Sequence, residues 1–172
     1  MAQIDSHITD SSRSVYAVAG GNHIKILLDR DATAGKEDLI EVTSQPGGGP
    51  PPHRHAFAEW FRVLEGELTF IERRDGAIQT TRVITGGEVY VAPWTVHATL
   101  NLGEPLCRFE VTSRPGVMSG YAKEAGVAVP DELTAPSQEP PGPSELGAVA
   151  ARWVIEFCDP DLTAAALSEA RS

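Results

Sequence analysis

"GGGPPPHRHAFAEWFRVLEGEL", residues Gly47 to Leu68, places three glycines and three prolines ahead of a His-x-His pair, with a glutamate four residues after its second histidine. Side chains two apart on a strand share a face, so His53 and His55 are expected to point the same way. Phe57, Glu59, Phe61 and Val63 continue that phase. The run is predicted to line a barrel interior with two imidazoles and one carboxylate. Pro50, Pro51 and Pro52 hold the entry extended and lack backbone donors, which suits an edge or a rim. Gly47 to Gly49 permit a sharp turn before them.

A further histidine stands in "GGEVYVAPWTVHATLN", Gly86 to Asn101. His97 follows a Gly-Gly turn, a strand, and a bend at Ala92-Pro93-Trp94. A third inward imidazole from a neighbouring strand completes three nitrogens and one oxygen. That donor set suits a first-row divalent ion: Fe, Mn, Ni, Co, Cu or Zn. On an octahedral ion, four protein ligands leave two positions for water, dioxygen or a chelating substrate. A His-x-His pair alone is more often a surface or core feature. The spaced glutamate, the glycines and the distant histidine turn the balance toward a metal site.

Around these segments, His23 to Ser113 reads as about eight short strands broken by turn residues: "HIKILLDR", "DLIEVTS", "ELTFIERR", "AIQTTRVI" and "LCRFEVTS" among them. Ile24, Ile26 and Leu28 alternate on one face. The strands are rich in Val, Ile, Thr, Phe and Tyr, as a pleated surface favours. A small antiparallel barrel or double-sheet jelly roll is expected. After Arg114 the pattern changes. "GVMSGYAKEAG" predicts a short helix, residues 130–143 an irregular Pro-rich connection, and "SELGAVAARWVIEF" a helix capped by Ser144 with Trp153 on its face. "DPDLTAAALSEARS" predicts a second short helix. The expected organisation is an N-terminal arm over 1–20, a barrel over 21–115 and a C-terminal helical extension over 116–172. The extension is too small for its own core, so it packs back on the barrel or on a partner subunit.

At 172 residues, 41% hydrophobic and 22% charged, the chain has the size and composition of one soluble domain. A net charge of -10 with no Lys/Arg cluster repels phosphate backbones and anionic membranes, so neither nucleic acid nor membrane is an expected partner. The N-terminus is polar, with no secretory pattern. Cys107 and Cys158 are in no metal or redox spacing and read as free thiols of a cytoplasmic protein. His7 falls in a polar tail, and His23 opens a strand as a surface or satisfied core residue. Cys107, Phe109 and Val111 share an inward phase that suits core packing. Trp60 is out of phase with the ligands and is expected outward, toward a subunit interface.

The spacing His53-x-His55-x3-Glu59-x6-Gly66, with Gly47 six residues before His53, resembles the first motif of the cupins. Gly86, His97 and Asn101 resemble the second. The resemblance covers roughly residues 20–113, and the flanks resemble small single-domain cupins of the quercetin-dioxygenase-like kind. It implies an all-β double-stranded β-helix, a jelly-roll barrel, followed by short helices. It also implies one divalent transition metal (Fe, Mn, Ni or Zn) on His53, His55, Glu59 and His97, and a homodimer. Two positions depart from the pattern: Ala92 stands for a proline and Trp94 for the bend glycine.

Three functions follow as expectations. The first is a dioxygenase for a small chelating enol or aromatic, with Glu59 as the catalytic group taking a proton from the substrate. Phe57, Phe61, Trp94 and Phe109 are the candidate apolar walls of its pocket. The second is a non-redox metal-assisted isomerase, cyclase or lyase. The third is a non-catalytic small-molecule-binding barrel. No helix-turn-helix accompanies it, which weighs against a DNA-linked sensor.

Overall fold

The computed structural model describes residues 13–169. Its strands are β1 (Val15–Val18), β2 (Asn22–Leu28), β3 (Asp38–Ser44), β4 (His53–His55), β5 (Ala58–Glu65), β6 (Glu67–Arg74), β7 (Ala77–Ile84), β8 (Glu88–Val91), β9 (His97–Leu100), β10 (Cys107–Arg114), β11 (Val127–Val129) and β12 (Ile155–Phe157). Three helices follow the main strands: α1 (Met118–Ala125), α2 (Pro143–Arg152) and α3 (Asp161–Glu169). The strands form two antiparallel sheets in the orders β11-β1-β2-β3-β10-β5-β8 and β12-β4-β9-β6-β7. This is the expected jelly roll.

Turn chemistry fixes the corners. Asp75 and Gly76 both take positive φ, 52° and 80°, in the two-residue turn that closes the β6–β7 hairpin. A turn with two positive φ angles matches the twist of its flanking strands. Gly66, at φ 80°, passes the chain from β5 in one sheet to β6 in the other. A Cβ there would lie 2.8 Å from the Leu106 carbonyl oxygen, so backbone approach as well as dihedral demands glycine.

In the larger sheet the inward side chains stack in rows set by the strand register. One row holds Glu59 and Ser113 beside Asp38; the next holds Phe61, Val111, Ile40 and Ile26; the next Val63, Phe109, Val42 and Ile24; the last Cys107, Ser44 and Asn22. The middle rows belong to the main hydrophobic core, which Leu68, Phe70 and Val83 complete from the other sheet. Burying such side chains stabilises by about 1.5–3 kcal/mol each.

Several sequence expectations are corrected. Residues 53–63 are not one strand. The chain bends at Ala56–Phe57, and β4 and β5 lie in opposite sheets. The period-two phase therefore breaks between His55 and Glu59, and it is the crossover that turns Glu59 toward the histidines. The N-terminal arm contains a strand, since β1 pairs with both β2 and β11. The first part of the arm, His7 included, lies outside the described residues. Helix α2 is not capped by Ser144; Gly142 holds the cap position and Pro143 opens the helix, where its missing N–H costs nothing. The helix ends at Arg152, Val154 turns the chain at φ 60°, and "IEF" becomes β12. Leu28 drops out of the Ile24–Ile26 alternation because the β2–β3 register shifts between Ile26 and Leu28.

Two other expectations hold, the outward face of Trp60 and the free thiols. Trp60 is 48% exposed on the outer face, beside Tyr90. Both cysteines are free. His23 is buried, with Nε2 2.9 Å from the Thr134 carbonyl oxygen but Nδ1 without a partner, so it is only partly the satisfied core residue expected. No helix among the described residues is long and apolar enough to cross a membrane.

The C-terminal extension packs back on the barrel of its own chain. A buried network sets α1: Asp38 accepts from Ser113 Oγ and, at 2.7 Å, from the Ser119 amide, while Ser113 Oγ accepts from the Val117 amide at 3.0 Å. Burial raises the Asp38 pKa against the lowering effect of those donors. Asp38→Ala leaves the Ser119 amide without its partner and is expected to cost about 1–3 kcal/mol. Asp38→Asn keeps an acceptor and is expected to cost clearly less. Urea denaturation of the two variants checks both.

Candidate metal centre

His53 and His97 are register partners across β4 and β9, which points both rings into the space between the sheets. His55 follows on the same side of β4, and Glu59 enters from β5 in the opposite sheet. His55, Glu59 and His97 are buried; His53 is half-buried. One ligand atom from each of the four lies within 4.8 Å of every other. Donors on opposite sides of an ion bonded at about 2.1 Å stand about 4.2 Å apart, so small side-chain torsions gather the set onto one cation. The ring centroids of His53 and His97 are 4.4 Å apart, and those of His55 and His97 5.0 Å.

The polar atoms behind the rings decide which nitrogens are free. Nδ1 of His53, His55 and His97 lies 2.8, 2.8 and 2.9 Å from the carbonyl oxygens of Pro51, Phe57 and Thr95. A carbonyl only accepts, so each Nδ1 carries the proton and donates it. All three Nε2 atoms then face inward. His97 Nε2 is buried and makes no hydrogen bond. It approaches Glu59 Oε2 at 3.4 Å without the alignment of one. A buried imidazole nitrogen without a partner, beside a buried carboxylate, fits a cation as its ligand.

The charges of the set agree. His55 Nε2 is 2.8 Å from Glu59 Oε2. Burial opposes charging His55, but the Glu59 hydrogen bond and charge outweigh it and raise its pKa. Burial likewise pushes Glu59 up, yet the His55 hydrogen bond and the neighbouring imidazoles bring it well below the usual carboxylate range. Burial and the nearby His97 push His53 down to about 3, so it presents a neutral, ligating ring.

The site opens into a mostly apolar cavity with a partly open mouth. Phe61 and Phe109, two of the expected wall residues, line it. Two other expected wall residues do not. Phe57, at the sheet crossover, stacks on His55 with ring centroids 3.9 Å apart and packs with Val117, Ala150 and Ile155. It supports the ligand from outside. Trp94 is 56% exposed, with the Arg54 guanidinium 6.0 Å from its ring. Its φ of 67° sends the side chain out of the bend while its amide donates to the His55 carbonyl at 2.6 Å. Tryptophan therefore occupies a left-handed position behind His55 and does not line the cavity.

The sequence reading missed the walls supplied from outside the motifs. Asn22 comes from β2, Tyr121 from α1, Leu146 from α2, and Ile155 and Phe157 from β12. Strand β12 pairs directly with β4, placing Ile155 opposite His55 and Phe157 opposite His53. A two-pronged Arg54–Glu156 ion pair, 2.9 Å at each prong, joins the same strands on their exposed side. The alternating "VIEF" pattern was the available signal, hidden because it directly follows a helix.

Residues 40–112 match the family model described as Cupin domain. The polyketide cyclase RemF from Streptomyces resistomycificus is a similar solved structure, at 23% identity and TM-score 0.55, covering 63% of this chain and 78% of that one. An RmlC-like cupin from Shewanella frigidimarina gives 18% identity and TM-score 0.52, covering 64% of this chain and 91% of that one. An oxalate decarboxylase from Bacillus subtilis, with Mn(II) centres, gives 20% identity and TM-score 0.51, covering 58% of this chain and 27% of that one. At these identities the likeness is one of fold. No curated protein matches the sequence. The two-sheet jelly roll is the cupin fold, and the Cupin domain match falls within it, over residues 40–112.

His97→Ala and Glu59→Gln are each expected to weaken metal binding by at least the roughly 100-fold that loss of an outer hydrogen-bond partner costs. Calorimetric titration with Mn(II) or Zn(II), with circular dichroism to confirm folding, measures this. Unchanged affinity in both variants would rule the cluster out. At Trp94 the backbone gives a separate expectation: Trp94→Gly is more stable than Trp94→Ala by about 1 kcal/mol, because only the alanine keeps a Cβ at positive φ. Thermal denaturation of the pair reads that difference.

Proposed function

We propose that this chain is a metal-dependent enzyme acting on a small, neutral, chelating enol or aromatic, and that its reaction is a quercetinase-like dioxygenation. The observation that carries the reading is the pairing of a three-histidine, one-carboxylate cluster with an apolar cavity. Among the described residues lining that cavity, none is Lys or Arg. A dianion such as oxalate would find no side-chain counter-charge there, and Glu59 would repel it. A neutral chelator with an aromatic body meets Phe61, Phe109 and Phe157 instead.

His53, His55, Glu59 and His97 would hold the metal. A divalent ion bound there supplies Lewis acidity toward substrate oxygens and, if redox-active, a route to dioxygen. The chain's own residues do the rest. The carbonyls of Pro51, Phe57 and Thr95 keep the three imidazoles oriented. Phe57, stacked on His55, excludes water from behind the site. Glu59 is the proton acceptor for the substrate hydroxyl. Burial raises its proton affinity, while the His55 hydrogen bond and the neighbouring imidazoles lower it. Both atoms of dioxygen enter the product, so no external reductant is required.

A second reading, non-redox cyclisation or isomerisation, is favoured by the same apolar lining and by the likeness to a polyketide cyclase. Metal-loaded protein offered flavonol and 1,3-dicarbonyl substrates in an oxygen electrode decides between the two. Stoichiometric oxygen uptake, lost in Glu59→Ala and His53→Ala, is the expected result. Product formed equally without oxygen would transfer the assignment to the cyclase reading. Tight binding by metal-free protein with no turnover under either condition would make the barrel a binding protein.

A further inference from the structure

Asn22 sits in the last inward row of the larger sheet and is 7% exposed. Its Oδ1 is buried without any hydrogen-bond partner. It nevertheless lines the same cavity as His53, Glu59 and His97. Leaving a buried amide oxygen unpaired costs stability, and an apolar residue at that position would avoid the cost. The adjacent inward row holds Ile24 and Val42, and its own row holds Ser44 and Cys107, none of which bonds the amide oxygen.

The amide is at the far end from the metal cluster. His97 and Asn101 are four residues apart on one run, about 14 Å at the rise of a strand. Asn101 Nδ2 donates to the Ser44 carbonyl at 3.0 Å, and Ser44 is the register partner of Asn22. Between the poles the walls are Ile24, Val42, Phe61 and Phe109. Tyr121 also lines the cavity, packed near Ala19. Burial alone pushes its hydroxyl up to about 12, so it stays protonated.

We propose that Asn22 is a specificity-determining acceptor for the end of the ligand remote from the metal. The ligand is an elongated neutral aromatic that chelates at one pole and carries a hydroxyl at the other. The hydroxyl donates to Asn22 Oδ1, and the aromatic body fills the apolar stretch between. This rests on the chelating-aromatic reading of the site, but it adds a residue that neither metal motif contains.

The test uses zinc-loaded protein, in which no redox turnover competes with binding. Affinities are measured by calorimetry for 3-hydroxyflavone and for its 4′-hydroxy derivative, which adds a hydroxyl at the pole opposite the chelating pair. The derivative is expected to bind wild-type protein about tenfold more tightly, the value of one hydrogen bond to a buried acceptor. In Asn22→Leu, and in Asn22→Ala as a second variant, that ratio falls to about one while zinc affinity is unchanged. A ratio near one in the wild type, or a ratio that survives both substitutions, overturns the role of Asn22 while leaving the chelating reading in place. If neither flavone binds, the chelating-aromatic reading fails, and stability decides Asn22. Asn22→Leu is expected to raise the thermal midpoint of ligand-free protein, because the amide has no partner to lose. A fall of several degrees shows that the amide serves the fold, and overturns the proposal.

Discussion

Three backbone carbonyls, each two residues from the histidine it serves, hold the three imidazoles in one tautomer. With the Nδ1 protons spent on Pro51, Phe57 and Thr95, the Nε2 atoms have nowhere to turn but the centre of the barrel. There they meet the carboxylate of Glu59 in a space too small for four unpaired groups in the absence of a cation or a shared proton. His55 and Glu59 share such a proton across 2.8 Å. His97 Nε2 has no such bond. The chemistry of the site depends on this local constraint, because a ring free to rotate would present a donor as readily as a lone pair.

The sheets are arranged to deliver these groups. Strand β4 carries His53 and His55 in the smaller sheet, and two residues later the chain has crossed to the larger one with Glu59. On its other side β4 is closed by β12, so the strand that bears His53 and His55 is not an edge. A central position holds a strand more firmly than an exposed edge does. The C-terminal extension thus contributes in two ways. It pairs with the ligand strand, and it supplies Tyr121, Leu146 and Phe157 to the cavity wall. Helix packing keeps it there: Gly120 leaves room for the Trp153 indole, where a Cβ would come within 2.1 Å of the ring.

Trp94 shows how a departure from a family pattern is absorbed. The bend before His97 needs a residue at positive φ, and its amide must reach the His55 carbonyl. Glycine meets both needs without strain. Tryptophan meets them at some backbone cost and directs its ring outward, over Arg54. The tryptophan alters the outer surface near β12 and leaves the His53, His55, Glu59 and His97 cluster intact.

The amino-acid sequence by itself pointed to the jelly-roll class, the candidate ligand cluster, the helical character of the C-terminal segments and the free thiols. Short-range rules govern all of these: strand alternation, turn residues at the corners, and ligand types at fixed spacing. It did not reveal that His55 and Glu59 sit in different sheets, because a two-residue crossover leaves the period of two almost undisturbed in the letters. Nor did it reveal which apolar residues face the ligand. Phe57 and Phe61 have the same phase on paper, yet one backs a histidine and the other lines the cavity. Asn22, Tyr121 and Phe157 became part of the site only through contacts between segments separated by up to 135 residues. Long-range packing decides such contacts, and no local pattern encodes them.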